Sequence, residues 1–181
     1  MWVVVVDARA RALLLRRAAD ARTCPSAWTF VGEHARAGEG ARACAARAVI
    51  EELGGGGGGA AAWWASRAAA GASRLVNLTA TPLWERHDWP DGRVDREVSS
   101  TLALLLRDEA RAVPLALDGD AREHRWVGLD ELERWLDDAP ADFCDDAVRA
   151  FTRLGVASLR RVLEARGRPP DRQRAVRRAA P

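Results

Sequence analysis

The chain has 181 residues, a formal net charge of +2 and an apolar content of 48%, which suits one compact domain of about 150 residues followed by a tail. No apolar run approaches the roughly 20 residues that cross a membrane. The opening Val3–Val6 run stops at Asp7 without a cationic flank, so the sequence argues against a signal peptide and a membrane protein, and it favours a cytoplasmic location.

The first part of the chain is predicted to form a hairpin, a short strand and one helix. Val3–Val6 and Ala12–Leu15 are apolar runs on either side of a polar turn, and Trp28–Val31 is a further short strand. Ala41–Leu53 is rich in Ala, Arg and Glu without Gly or Pro, which predicts a helix that the next glycine ends. The low complexity of residues 54–72 predicts a flexible insertion.

The second part is predicted to continue with strands and to close with two helices. The predicted elements are a strand at Leu75–Arg86, a turn at Trp89–Gly92, a long strand at Val94–Arg107, an extended segment at Val113–Leu117, a strand at Trp126–Val127, and helices at Glu131–Asp137 and Asp142–Ala165. Asp130 is the expected N-cap of the first of these helices. This order of elements predicts an α+β domain, or layered α/β/α sandwich.

The end of the chain differs from the rest in charge. All 28 basic residues are arginines, and residues 160–181 hold eight of them with only two acidic residues, so the remaining body is mildly acidic. An acidic body argues against a nucleic-acid-binding face on the domain. The domain is therefore placed at residues 1–166, and residues 167–181 are predicted to form a disordered arginine-rich tail.

The three cysteines do not suggest a disulfide framework. Cys24, Cys44 and Cys144 are odd in number, have no close pair and lack the spacing of metal ligands. A reducing compartment is the expectation that follows from this pattern.

Carboxylates are concentrated around the predicted helix Ala41–Leu53. Glu51 and Glu52 follow Arg47 by about one turn, and Glu39 lies at the helix entrance. Such an acidic cluster is destabilising, because its carboxylates repel one another, unless a cation neutralises it. Hard oxygen ligands suit Mg²⁺ or Mn²⁺. For the helix alone, an ordinary exposed surface of acids and arginines is the alternative interpretation.

The segment from the loop before this helix to its end resembles the Nudix box. Six residues stand at the fixed positions of the box, namely Glu39, Arg47, Val49, Glu51, Glu52 and Gly54. The flanking segments that resemble the family are Trp2–Leu15 as the opening hairpin, Ala27–Phe30 as the strand before the box and Arg125–Leu132 as the closing strand and helix. The resemblance covers about residues 1–137 and implies the Nudix fold, with a mixed central sheet and flanking helices.

Two positions depart from the box. Glu33 replaces the glycine six residues before Glu39, and Ala48 replaces the glutamate after the box arginine. In the family that glutamate helps to bind metal or to orient the attacking water. Ala48 can do neither, so it weakens the inference from fold to activity.

A second pair of acids could compensate for this loss. Asp95 and Glu97 are two apart on a predicted strand and therefore share one of its faces; a solvent-exposed strand face is the alternative. The segment Val94–Val98 resembles the glutamate-bearing strand of isopentenyl diphosphate isomerases, a Nudix-fold branch whose box also lacks the glutamate at position 48. The catalytic cysteine of that branch would fall at Gly32, which argues against isomerase activity.

The resemblance implies a Mg²⁺- or Mn²⁺-dependent hydrolase that cleaves a diphosphate linkage in a small molecule such as a nucleoside diphosphate derivative. It implies Glu39, Glu51, Glu52 and Glu123 as metal ligands, Glu52 and Glu97 as catalytic residues, and His34, Arg36 and Arg47 as substrate contacts. Glu97 is the expected base. A catalytically silent Nudix-fold binding protein and, less favoured, a prenyl diphosphate isomerase-like protein are the alternatives; the substrate and the oligomeric state stay open.

Overall fold

The computed structural model describes residues 1–69, 75–79, 83–88, 92–117 and 119–165. The predicted tail at 167–181, and most of the turn predicted at 89–92, lie outside these residues. None of the described helices is long and apolar enough to cross a membrane.

The described residues form nine strands and four helices. The strands are β1 Trp2–Val6, β2 Arg11–Arg17, β3 Trp28–Thr29, β4 Val31–Gly32, β5 Leu75–Asn77, β6 Leu83–Asp88, β7 Val94–Ser99, β8 Thr101–Leu105 and β9 Ala121–Gly128. The helices are α1 Ala41–Gly54, α2 Gly58–Ala69, α3 Leu129–Asp138 and α4 Asp145–Glu164.

A seven-stranded mixed sheet forms the centre of the domain. Its main path runs β3-β2-β1-β8-β5, with β4 paired to β1 and β9 paired to β2. The β1–β8 pair is parallel, and the other pairs are antiparallel. β6 and β7 form a separate antiparallel hairpin.

Helices cover both faces of the central sheet, and two apolar clusters hold the layers together. The four consecutive valines of β1 are fully buried and alternate between the clusters, because successive strand side chains point to opposite faces. Val3 and Val5 pack on the α1 and α2 side, whereas Val4 and Val6 pack on the α3 and α4 side. The α/β/α sandwich expected from the sequence is confirmed.

Two strands that the sequence predicts as continuous are each divided. The predicted strand Leu75–Arg86 becomes β5, which pairs with β8 in the central sheet, and β6, which pairs with β7 in the hairpin. The predicted strand Val94–Arg107 becomes β7 and β8, separated at Ser100. In both cases one continuous segment of the sequence contributes a strand to each of two sheets. β-propensity alone does not predict where the chain passes from one sheet to the other.

The predicted flexible insertion at 54–72 is wrong for residues 58–69, which form α2. Trp64 on this helix is fully buried, and its indole Nε1 donates to the carbonyl oxygen of Pro114 at 2.9 Å. A Cβ at Gly54 would lie 2.8 Å from Cα of Ala61, so the absence of a side chain lets α2 pack closely on α1. The glycine run therefore permits a helical hairpin.

The expectation that no disulfide forms is also wrong. Cys24 and Cys144 are joined by a disulfide across 120 positions of sequence, with Cα atoms 5.4 Å apart. Cys44 remains a buried free thiol. The pairing depends on the fold, which brings the loop after β2 to the start of α4.

The helix ends differ slightly from those predicted. The left-handed cap of α1 is Gly55, with φ 61°, and the residue that precedes α3 as its N-cap is Gly128 instead of Asp130. Residues Pro140–Asp142 form a short 3-10 turn, so α4 begins later than predicted. Trp126–Val127 forms only part of β9, which continues back to Ala121.

Candidate active site

Arg47 of α1 is the centre of the ion-pair cluster at the box. Its guanidinium donates to both carboxylate oxygens of Glu39, at 3.0 and 2.8 Å, and to Glu51 at 2.8 Å. It also donates to the backbone carbonyl of His34 at 2.7 Å. Hydrogen bonds from Arg47 to the two carboxylates raise the pKa of the arginine. Arg47 therefore holds the loop against the helix, and the substrate contact expected for Arg47 from the sequence stays a prediction.

Glu39 is almost enclosed by these partners. Besides the Arg47 bonds, its carboxylate accepts the backbone N–H of Arg36 at 2.9 Å, and only 15% of its side chain is exposed. The hydrogen bonds from Arg47, followed by that from the Arg36 amide, lower the pKa of Glu39 to about 2. Arg36 is itself well exposed and donates to Glu51 at 3.1 Å.

We expect the stabilising effect of Glu39 to depend on pH. Because its pKa is lowered from 4.5 to about 2 on folding, its contribution is complete above pH 4.5 and is lost as the pH falls towards 2. The Glu39→Gln variant should therefore melt below the wild type at pH 7, and the two melting temperatures should converge at acidic pH. Calorimetric melts of both proteins across this range test the expectation; a difference that widens on acidification contradicts it.

A cavity of about 430 Å³ lies beside this cluster. Its polar lining residues are Arg17, Thr23, Thr29, Glu33, His34, Glu52, Arg93, Glu97 and Asp120. The cavity brings together three of the residues expected from the sequence, namely Glu52 from α1, Glu97 from β7 and His34 from the loop after β4. His34 Nε2 lies 3.4 Å from a carboxylate oxygen of Glu97.

The strand pair β6–β7 explains why Glu97 reaches the cavity. Val94, Arg96 and Val98 alternate with Glu97 and are exposed, so Glu97 lies on the opposite face of the hairpin with the buried Ser99. Asp95 is paired with His87 in the backbone register. The orientation of the strand thus places the Glu97 side chain at the cavity.

Glu123 is not among the residues that line the cavity. It pairs with Arg16 across β2 and β9, at 3.2 Å between Arg16 Nη1 and the Glu123 carboxylate. A register shift between Arg16 and Arg17 sets Arg17 opposite Ala121, and both of these residues do line the cavity. The expected contribution of Glu123 therefore lacks support from this arrangement.

Sequence reasoning missed several polar residues of the cavity. Arg17 belongs to the same strand face as Leu13 and Leu15, both of which pack in the α1-side cluster, so period-two alternation could have identified it. Asp120, just before β9, carried no such signal. Glu33, which sequence reasoning treated only as a departure from the box, also lines the cavity.

The cavity residues suit a divalent cation in chemistry, although they are not preassembled as a metal centre. Within the described part of the chain, no group of three His, Cys, Asp or Glu residues is placed to hold an ion. Glu52 and Glu97 provide hard oxygen donors on one cavity, with an imidazole close by. Glu39 and Glu51 would have to exchange their bonds to Arg47 for a metal.

Ala48 provides no polar group at the position where the Nudix box has a glutamate. It is fully buried in the apolar cluster on the α1 side, and it does not line the cavity. Position 48 therefore provides no ligand to the cavity.

Comparisons with known proteins agree with the architecture. The NUDIX domain family profile matches residues 1–146. An isopentenyl-diphosphate Delta-isomerase of Cereibacter sphaeroides is 30% identical over 163 residues, which cover 84% of this chain and 81% of that protein.

Solved structures support the same fold. A NUDIX hydrolase from Alicyclobacillus acidocaldarius has a TM-score of 0.59 at 12% identity, covering 91% of this chain and 93% of that one. The NUDIX domain of Shewanella oneidensis NrtR, solved with ADP ribose, has a TM-score of 0.52 at 12% identity, covering 90% and 85%. At these identities the likeness concerns the fold alone, whereas the profile match spans most of the sequence. The chain therefore belongs to the Nudix family.

Proposed function

We propose that this protein is a divalent-metal-dependent hydrolase that cleaves a diphosphate linkage in a small organic molecule. The observation that carries the proposal is the shared cavity of Glu52 and Glu97, which combines a box carboxylate with one from a separate strand. The cavity volume of about 430 Å³ suits a ligand of nucleotide or prenyl diphosphate size.

The residues of the cavity have distinct roles in this proposal. Glu52 and Glu97 would hold the cation, with His34 close to the Glu97 carboxylate, and Arg93 would donate to phosphate oxygens. Glu97 is also the proposed acceptor of the proton from the attacking water. When bound, Mg²⁺ or Mn²⁺ supplies charge neutralisation for the diphosphate.

The hydrogen bonds of Arg47 contribute to the proposed catalysis by fixing the geometry of the site. Arg47 ties the loop that carries His34 to the helix that carries Glu52. Because the distances between reacting groups determine the rate, a fixed loop favours catalysis. We assign Arg47 and Glu39 to positioning, and we keep Arg36, which is exposed and bonded to Glu51, as a substrate contact outside the lining of the cavity.

The test is an assay of phosphate or nucleotide release with Mg²⁺ and with Mn²⁺. The panel contains ADP-ribose, other nucleoside diphosphate derivatives and isopentenyl diphosphate. We expect turnover of at least one compound, and we expect EDTA to abolish it and added metal to restore it. If no compound is turned over by protein that circular dichroism shows to be folded, the proposal of hydrolase activity is contradicted.

A second candidate function is prenyl diphosphate isomerisation, which the relative from Cereibacter sphaeroides favours. The site argues against it, because Gly32 occupies the position of the branch's cysteine. A Cβ placed at Gly32 would lie 2.4 Å from Cζ3 of Trp2, so the indole fills the space that a thiol would need. Double-bond migration in isopentenyl diphosphate, followed by NMR in the same assay, distinguishes this function from hydrolysis.

Binding without turnover is the remaining candidate, and Ala48 favours it. A silent binding protein would bind a diphosphate compound in calorimetry without releasing any product. The same panel therefore separates the three functions by product release, double-bond migration or binding alone.

A further inference from the structure

The Cys24–Cys144 disulfide stands at the wall of the proposed substrate cavity. Cys144 is buried, precedes α4 and lines the cavity. Its backbone N–H donates to the carbonyl oxygen of Trp28 at 2.8 Å, so Cys144 is held to the central sheet independently of the disulfide. The sulfur bridge then fastens the loop that carries Cys24, residues 18–27, to this fixed point.

That loop contributes directly to the cavity through Thr23, the neighbour of Cys24. The Arg17 guanidinium donates to the carbonyl oxygen of Thr23 at 2.7 Å and to its hydroxyl at 3.3 Å. Arg17 also lines the cavity and lies 3.7 Å from the Asp120 carboxylate. The placement of one cationic side chain on the wall therefore depends on where the disulfide holds Thr23.

The loop adopts a conformation that requires external support. Cys24 and Ser26 have φ values of 47° and 62°, in a region that residues other than glycine seldom occupy. Such conformations persist where the surroundings hold them in place. The disulfide is a covalent restraint within this segment, so its loss should allow the loop to leave the wall.

We propose that the Cys24–Cys144 disulfide is a redox switch for ligand binding in the cavity. The oxidised form holds Thr23 and Arg17 in the geometry that binds a diphosphate, and the reduced form binds it more weakly. This inference rests on the proposed function, which identifies the ligand as a diphosphate. A reducing environment favours the dithiol and an oxidising one favours the disulfide, so oxidation would raise ligand affinity.

The chemistry is ordinary thiol–disulfide exchange with a dithiol reductant. A thiolate of the reductant attacks the sulfur of Cys24, which is a half-buried residue whereas Cys144 is buried, and Cys144 leaves as thiolate and takes up a proton. The second thiol of the reductant then displaces Cys24 as thiolate, which is protonated in turn. Two electrons and two protons pass to the protein, and the reductant becomes a cyclic disulfide.

The third cysteine provides a matched control. Cys44 is fully buried on α1, and burial raises the pKa of its thiol, so little thiolate is present at neutral pH. It lies outside the residues that line the cavity. The Cys44→Ser variant should keep the redox response, whereas Cys24→Ser combined with Cys144→Ser should behave as the reduced protein in any buffer.

The experiment compares the full chain oxidised with diamide with the same chain after treatment with dithiothreitol. Thiol titration in denaturant should find one free thiol before reduction and three after it. Reduction should accelerate tryptic cleavage after the exposed Arg22 by about tenfold, because local opening controls proteolysis of folded chains. Titration calorimetry with inorganic pyrophosphate and Mg²⁺ should show an affinity about threefold or more lower after reduction, since a preorganised wall favours binding.

Each outcome separates the switch from the proposed function. Three thiols that persist after treatment with diamide, equal cleavage rates in both forms or equal pyrophosphate affinities overturn the switch. If the oxidised form does not bind pyrophosphate, the cavity is not a diphosphate site. The proposed function and the predicted change in affinity then both fail, even where reduction still accelerates cleavage after Arg22. Circular dichroism of the reduced protein checks that the fold persists.

Discussion

Replacing Glu52 by glutamine should reduce turnover of any diphosphate substrate by at least about 100-fold. Mutations of residues that only support a metal ligand already cost about 10–100-fold, and we propose that Glu52 is a direct ligand. Glutamine keeps the size of the side chain and its place on α1 but removes the negative charge that attracts a divalent cation. The effect should be larger on kcat than on stability, because Glu52 lines the cavity and is not in the apolar core.

Two control variants make the Glu52 measurement specific. Glu51→Gln changes the preceding residue of α1, whose carboxylate accepts from Arg47 and Arg36 and does not line the cavity, so its loss of rate should be smaller than that of Glu52→Gln. Glu131→Gln makes the same chemical change on α3, in a surface pair with Arg125, and should leave the rate unchanged. Steady-state kinetics and Mn²⁺ binding by electron paramagnetic resonance should both separate Glu52 from the controls. A Glu52→Gln rate within threefold of the wild type would refute its role.

The box was predictable because its chemistry is local. Glu39, Arg47 and Glu51 lie within 13 positions of one another, and helical periodicity places Glu51 one turn from Arg47. The structure confirms the helix, and on it Arg47 donates to Glu51 at 2.8 Å. What the spacing did not reveal is that Arg47 also takes both oxygens of Glu39, so that the ion pairs occupy carboxylates expected to face a metal.

Long-range features were harder to predict because they depend on register and on the path of the chain. A one-residue shift in pairing moves a strand's side chains to the other face, and the irregularity between Arg16 and Arg17 decides which part of β9 faces the cavity. Glu123 therefore pairs with Arg16 while Ala121 reaches the wall. A single sequence contains no signal for such a shift.

The insertion after the box was misread for a different reason. Its low complexity was taken as a sign of flexibility, yet residues 58–69 are helical, and half of them are alanine, the strongest helix former. Trp64 is fully enclosed and hydrogen-bonded there. A tryptophan pair within a low-complexity segment was the one sign that part of the insertion packs on the domain.

The second large effect concerns the turn between β1 and β2, where Asp7 is fully buried. One carboxylate oxygen accepts the backbone N–H groups of Arg9 and Arg11, at 2.9 and 2.8 Å. The other accepts the Arg11 guanidinium, at 2.9 and 2.7 Å, and the backbone N–H of Ala110 at 3.1 Å. A single side chain thus closes the hairpin and connects it to the segment after β8.

We expect Asp7→Ala to lower the free energy of unfolding by about 3–5 kcal/mol, the cost of breaking a buried charge pair by removing one partner. Arg11 is 32% exposed and can turn to water, but the three backbone donors lose their acceptor inside the turn, and each unsatisfied group costs about 1–3 kcal/mol. Asp7→Asn should lose less, because its carbonyl oxygen can still accept the Arg9 and Arg11 amides. Urea unfolding of the oxidised protein measures these differences.

The exposed Asp20 supplies the matched control, since Asp20→Ala should change stability by no more than about 0.5 kcal/mol. Asp7 does not line the cavity, so the Asp7→Ala protein should keep its catalytic rate at temperatures where it is folded. A loss of catalytic rate in fully folded protein would mean that a change in the hairpin turn alters the geometry of the cavity. A stability loss no larger than that of Asp20→Ala would mean that the turn amides find other acceptors, and that the hairpin is held by the valine core of β1 alone.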